Sequence, residues 1–211
     1  MPQTPHSLKI TPFSPPIPLT PLTTKNQGNF PNNKKTFLTK LDKSKKGDID
    51  QRALPLLNAI NQLPNYYTTS SCSGRVYLWT GSGKKNETQW LKVSHDLIDD
   101  SFFTLSQPTP NLVWLRFEPF ILHICCKDLK SANYLLNEAH LLYKKSSLLS
   151  ISKKIILEIR SSELIEMPLY DNHHLLFDQE FSYLTQLINQ RMVNMWQRMD
   201  KFEEMIQKLK P

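Results

Sequence analysis

Cysteine is scarce in this 211-residue sequence, which holds three thiols, Cys72, Cys125 and Cys126. The number is odd and two are adjacent, so a disulfide framework is excluded. No C-x-x-C or H-x-x-x-H spacing occurs, so no metal is expected, and a reducing, cytoplasmic compartment fits the free thiols best. Apolar runs are short: none approaches the roughly 18 residues of a membrane span and none forms a secretory core, so a soluble protein with no membrane partner is expected. Glycine is rare too, at five residues. No G-x-G-x-x-G opens a helix, which disfavours a Rossmann fold. A P-loop fails as well, because upstream of Gly83-Lys84 the first glycine position holds Leu78 and the Ser/Thr position holds Lys85.

Acidic residues are missing from positions 1–35, where Lys9, Lys25, Lys34 and Lys35 carry four of the formal +7 charges. The remainder is only mildly basic, which suits an RNA partner if its lysines cluster and is otherwise ordinary for a soluble protein. Eight prolines fall within the first 31 residues among many threonines. Such a composition cannot pack a core, so residues 1–33 are read as a disordered tail and 34–211 as one domain. A transit peptide is disfavoured there, since arginine is absent and no amphipathic period shows.

Within the domain, a short helix is expected from Lys34 through Phe37, Leu38 and Leu41, stopping at Gly47. A second helix, capped by Asp48 or Asp50, carries Leu56, Leu57, Ile60 and Leu63 on one face, with Pro55 as its start or a kink. Alternation predicts a strand over 113–118 with an antiparallel partner over 120–126, then a helix over 128–143 and strands at 148–152 and 155–160. The last helix spans about 177–209, and its apolar positions 181, 184, 188, 192, 195, 199, 202, 206 and 209 form a seam that covers its own domain or joins a weak dimer. The class is α+β, with two β-rich halves.

The densest chemistry lies in Tyr67-Thr-Thr-Ser-Ser-Cys72-Ser-Gly74-Arg75. Strands on either side make Cys72–Arg75 a hairpin connection with Gly74 at positive φ. The hydroxyls of Ser70, Ser71 and Ser73, exposed N–H groups and Arg75 would then converge on a carboxylate or phosphate. Cys72 as a nucleophile is a rival reading, with no histidine close to it in sequence.

Three further segments accompany this turn in order: Asp42-Lys-Ser-Lys-Lys46-Gly47-Asp-Ile-Asp50, Trp90-Leu-Lys-Val-Ser94-His95 and Phe117-Glu118-Pro119-Phe120-Ile-Leu-His123. With Glu158-Ile-Arg160-Ser161 and Glu166-Met-Pro168-Leu169, they resemble the tRNA wybutosine-synthesising protein 3 family over about residues 36–209. The pattern departs at Ser94, where threonine or tryptophan often stands, and at 141–147, which lacks a glycine. The resemblance implies a barrel-like α+β fold of mixed or antiparallel strands. It also implies transfer of a methyl group from S-adenosylmethionine to the position-4 nitrogen of a wyosine-type base at position 37 of phenylalanine tRNA.

On that reading Ser70, Ser71, Cys72, Ser73, Gly74 and Arg75 hold the donor, with Arg75 on its carboxylate. Asp42, Asp50, His95 and His123 are the candidate bases for the acceptor nitrogen. Lys43, Lys45 and Lys46 are candidates for the tRNA backbone, and Trp90, with Tyr66 and Tyr67, for stacking on the base. A catalytically silent RNA-binding module of the same fold is the alternative.

Overall fold

Alternating β-branched and aromatic residues build nine strands among the described residues, and the polar interruptions between them decide where each strand bends. The computed structural model describes residues 29–41, 50–84, 86–107, 109–177 and 180–209, without the side chains of residues 40 and 41. The strands are β1 (Tyr66–Cys72), β2 (Arg75–Thr80), β3 (Gln89–Ser94), β4 (Val113–Glu118), β5 (Ile121–Cys126), β6 (Ser147–Ser150), β7 (Ile155–Arg160), β8 (Ile165–Asp171) and β9 (His174–Leu175). Helices α1 (Phe30–Leu41), α2 (Leu54–Gln62), α3 (Leu129–His140) and α4 (Phe181–Lys208) complete it, with a 3₁₀ turn at Asp100–Phe103. The first 28 residues, Asp42, Lys43, Lys45, Lys46, Gly47 and Asp48 lie outside the described residues.

All strand pairs are antiparallel, in two sheets ordered β1-β5-β7-β6 and β3-β2-β4-β8-β9. The α+β class and the two β-rich halves hold, but no closed barrel forms among the described residues, because each sheet ends on open edges. Two expected hairpins are also absent. β1 and β2 belong to different sheets, as do β4 and β5; Cys72 faces Ile121 in one sheet while Arg75 faces Glu118 in the other. The two segments are one antiparallel pair that bends twice side by side, at Ser73-Gly74 and at Pro119-Phe120. Turn residues between apolar runs signal a change of direction equally for a hairpin and for a strand that switches sheets.

Inner faces of both sheets contribute Val76, Leu78, Leu115, Phe117, Leu122, Ile124, Leu157 and Ile159, all fully buried, to one core with α2, α3 and α4. The α4 seam is covered within the chain: Leu184, Ile188, Met192, Met195, Met199, Phe202 and Ile206 are all buried. α2 starts at Leu54 with Pro55 in its first turn and has no side-chain cap, so Asp50 is not its N-cap. α3 is capped by Asp128, whose carboxylate accepts from Ser131 N at 2.7 Å. No described helix is long and apolar enough to cross a membrane.

α1 begins at Phe30, ahead of the boundary read from sequence, because Pro31 occupies its first turn, where a missing N–H costs nothing. Phe30 is buried against Tyr67, ring centroids 5.4 Å apart. A chain shortened to begin at residue 32 therefore loses roughly 1.5–3 kcal/mol of burial. Its melting temperature is expected to fall several degrees below that of a chain beginning at residue 29, as calorimetry would show.

Candidate active site

The bend at Ser73-Gly74 is clamped from three sides. Gly74 has φ +98°, and a Cβ there would lie 2.1 Å from Cε of Met195 on α4. Met195 Sδ accepts from Phe120 N at 3.0 Å, so one thioether packs against both bends. Ahead of α2, Asp50 sends Oδ2 to Ser73 N at 2.9 Å, while Oδ1 accepts from Arg52 N. Arg52 in turn pairs with Asp200 of α4 at 2.6 Å. Asp50 is thus a clamp on the bend, positioned by its own tight turn.

Next to it stands His95, on the loop after β3 that Asn189 of α4 holds through both backbone groups of Ile98. His95 Nδ1 is 3.1 Å from Gly74 O, 3.6 Å from Asp50 Oδ2 and 3.8 Å from Cys72 Sγ. A histidine 23 residues away in sequence therefore does reach Cys72. Burial nevertheless pushes the Cys72 thiol above its ordinary value, outweighing the Gly74 hydrogen bond and the Arg75 charge. The thiolate nucleophile reading loses its main requirement. Asp50, Cys72 and His95 bring three ligand-type atoms within 4.8 Å, a trio that could hold one zinc-like cation and that no sequence spacing announced.

Along the outer face of the first sheet the register makes three rows: Tyr67, Cys125 and Ile156; Ser70, His123 and Glu158; Cys72, Ile121 and Arg160. α1 covers the first row, with Phe30, Phe37 and Leu38 packed there. The second row exists because of a bulge at Thr69, where the register slips between Thr68 and Ser70. Without that extra residue, alternation would turn Ser70 to the inner face. Asn61 of α2 fixes the bulge by accepting from Thr68 N at 2.8 Å, and Thr69 Oγ1 donates to His123 O. Ser70 Oγ then lies 2.9 Å from His123 Nδ1, and His123 Nε2 lies 2.9 Å from Glu158 Oε2.

Arg75 belongs to the second sheet. Its Nε and Nη2 both bind Glu118 Oε2, at 2.8 and 2.7 Å, and Tyr77 donates to Glu118 Oε1 at 2.8 Å. The guanidinium lies 4.4 Å from the Trp90 ring centroid and 5.2 Å from that of Tyr77. Trp90 stacks on Tyr77 and stays about half exposed, at 48%. The four groups expected to converge on one spot therefore do not. Ser71 faces away from Ser70, with Leu122 as its register partner, the hydroxyl of Ser73 is buried without a partner among the described residues, and Arg75 is already paired. Tyr66 and Tyr67 are both buried, so neither is free to stack on a base.

Burial raises the Glu118 carboxyl, but hydrogen bonds from Tyr77 and Arg75 and the charges of Arg75 and Arg116 outweigh it and hold the group below 4.5. Glu163 behaves alike: burial opposes its charge, and Ser161 and Arg198 prevail. A depressed folded value stabilises the fold above the unfolded carboxylate range and loses that contribution as pH falls through the lower folded value. The melting temperature should thus hold near neutrality and drop below about pH 4.5. Thermal melts across that range check it, and a flat profile down to pH 2 would contradict the ion-pair assignment.

The sequence model of the family described as Methyltransferase TYW3 matches residues 32–208. The chain belongs to this family. It is 35% identical over 192 residues to the tRNA wybutosine-synthesizing protein 3 homolog of Xenopus laevis, covering 86% of this chain and 76% of that one. It is 36% identical to the tRNA(Phe) 7-((3-amino-3-carboxypropyl)-4-demethylwyosine(37)-N(4))-methyltransferase of Thermococcus sibiricus, covering 86% and 96% of the two chains. The solved structure of the PH1069 protein from Pyrococcus horikoshii superposes with a TM-score of 0.80 at 31% identity, over 87% of this chain and 98% of that one.

In this methyltransferase family frame, sequence reasoning named the segments but missed partners. Glu118 and Glu158 escaped as site residues, although each is a carboxylate on the polar phase of an otherwise apolar strand, which was a readable signal. Met195 gave none, because a seam methionine reads simply as core.

Proposed function

We propose that this chain is an S-adenosylmethionine-dependent tRNA methyltransferase acting on the position-4 nitrogen of a 4-demethylwyosine-type base at position 37 of phenylalanine tRNA. The observation that carries this reading is the bend itself. The T-T-S-S-C-x-G-R segment is where Asp50 and His95 meet Cys72, with Ser70 and His123 one row away, about 7 Å along the strand. The name of the Thermococcus sibiricus relative supports the same acceptor.

The residues at the bend suit the amino-acid end of the donor. Arg75 offers a guanidinium, and Ser73 carries a buried hydroxyl without a partner among the described residues. When bound, the donor supplies an electrophilic methyl group on a sulfonium. The protein's share is orientation, which can account for roughly 7–11 kcal/mol of such a barrier. Trp90 offers an exposed ring for a tricyclic base, steadied by Tyr77 and Arg75. Lys43, Lys45 and Lys46 are assigned to the tRNA backbone in this reading. The test is mass analysis of nucleosides from phenylalanine tRNA lacking this methyl group, after incubation with protein and isotopically labelled donor. One labelled methyl on the tricyclic base is expected; binding of tRNA without transfer would favour the silent RNA-binding module.

A further inference from the structure

We propose that Glu158, His123 and Ser70 form a proton relay that takes the proton of the methylated nitrogen, with Glu158 as its positioning residue. The inference rests on the functional reading above. It begins from the polarity of two hydrogen bonds. An ionised carboxylate only accepts, so the 2.9 Å contact to Glu158 places a proton on His123 Nε2. In the neutral imidazole Nδ1 is then the lone-pair nitrogen, and it accepts the Ser70 hydroxyl proton across 2.9 Å. The Ser70 oxygen is left with only lone pairs to offer outward. That is wrong for a donor carboxylate and right for an N–H group.

The two candidate histidines are separated by the same logic. His95 Nδ1 faces the Gly74 carbonyl at 3.1 Å and donates to it, so its lone pair lies on Nε2, which meets no hydroxyl among the described residues. His123 alone of the two keeps a basic nitrogen aimed at a hydroxyl. Three adjacent strands set the row at register, and the Thr69 bulge, an interruption the sheet does not need, serves to bring Ser70 into it. The row lies between the apolar patch under α1 and the row containing Cys72, beside the bend assigned to the donor.

In the transfer step the bond from nitrogen to the methyl carbon forms as the donor's S–CH₃ bond breaks, its electron pair leaving with the thioether sulfur. The N–H proton passes to Ser70 Oγ while the Ser70 proton passes to His123 Nδ1. The sulfonium charge is thereby replaced by an imidazolium charge, which Glu158 stabilises.

The experiment measures single-turnover methylation of unmethylated phenylalanine tRNA, with donor and tRNA dissociation constants determined separately. His123→Ala should lower the rate about 10²- to 10⁴-fold. Exogenous imidazole should restore part of it. Glu158→Leu should lower the rate roughly tenfold to a hundredfold and Glu158→Gln less, since glutamine can still accept from Nε2; both dissociation constants should stay within about twofold. Melting temperatures near the wild-type value guard against misfolding. Variants of normal rate, or variants that lose donor affinity as much as rate, would overturn the relay. Absence of transfer by the wild-type protein would overturn the functional reading and the relay with it.

Discussion

Gly74→Ala should collapse the bend and abolish methyl transfer. A methyl group there meets Met195 Cε at 2.1 Å, Met195 Sδ at 2.9 Å and the Glu118 carbonyl oxygen at 3.1 Å, while φ stays at +98°. The backbone conformation costs an L-residue roughly 1–2 kcal/mol. Overpacking adds about 1–3 kcal/mol. Met195 cannot swing away freely, because it is fully buried and its sulfur accepts from Phe120 N. For a domain of this size the combined loss lowers the melting temperature by roughly 5–15 °C. Donor binding should vanish before folding does, since the strands carrying Cys72 and Arg75 part at this residue. The double variant Gly74→Ala, Met195→Ala separates the causes: it removes the clash and keeps the strained φ, so partial recovery of stability without recovery of donor binding is expected. A single Ala variant that melts and binds donor normally would show that the bend is not the donor site.

The sequence located this bend but misjudged its topology, and the reason is physical. Gly74 and its polar neighbours announce a break between two apolar runs, and a hairpin and a sheet-switching strand share that signature. Only the long-range pairing of Cys72 with Ile121 and of Arg75 with Glu118 tells them apart. The Thr69 bulge was equally silent, because Thr-Thr-Ser-Ser has no period from which to count a slip. β8 was hidden by Pro168, a residue that breaks strand patterns. It is tolerated because β9 reaches only Tyr170 and Asp171, leaving Pro168 on an edge. Phe30 was lost to the tail for a similar reason, since Pro31 reads as the end of a disordered stretch and is in fact the first turn of α1. What was legible followed from periodicity sustained over many residues: the α4 seam, β4, β7 and the inward face of α3. The candidate histidines were visible as residues, and their ranking was not. It depends on which nitrogen faces a carbonyl and which a carboxylate, contacts made across 21 and 35 residues of chain.

Arg75→Ala should reduce donor affinity about tenfold or more, as expected for loss of a charge-assisted contact worth roughly 1.5–3 kcal/mol. The structure adds a second consequence. Arg75 spends Nε and Nη2 on Glu118 and lies over Trp90, so the substitution also leaves a three-quarters buried carboxylate with Tyr77 and Arg116 as partners and loosens the indole. The acid-side loss of stability carried by Glu118 should therefore shrink in the same variant. Lysine should rescue donor binding poorly, because it restores charge without the planar fork that serves a carboxylate and stacks on an indole. Trp90→Ala provides the contrast: it keeps the ion pair and removes the ring, so it should weaken tRNA affinity and leave donor affinity nearly unchanged. Calorimetric titration of donor and tRNA into each variant resolves the two roles. If Arg75→Ala binds donor normally and loses tRNA affinity together with its salt slope, the guanidinium serves the nucleic acid and not the donor carboxylate.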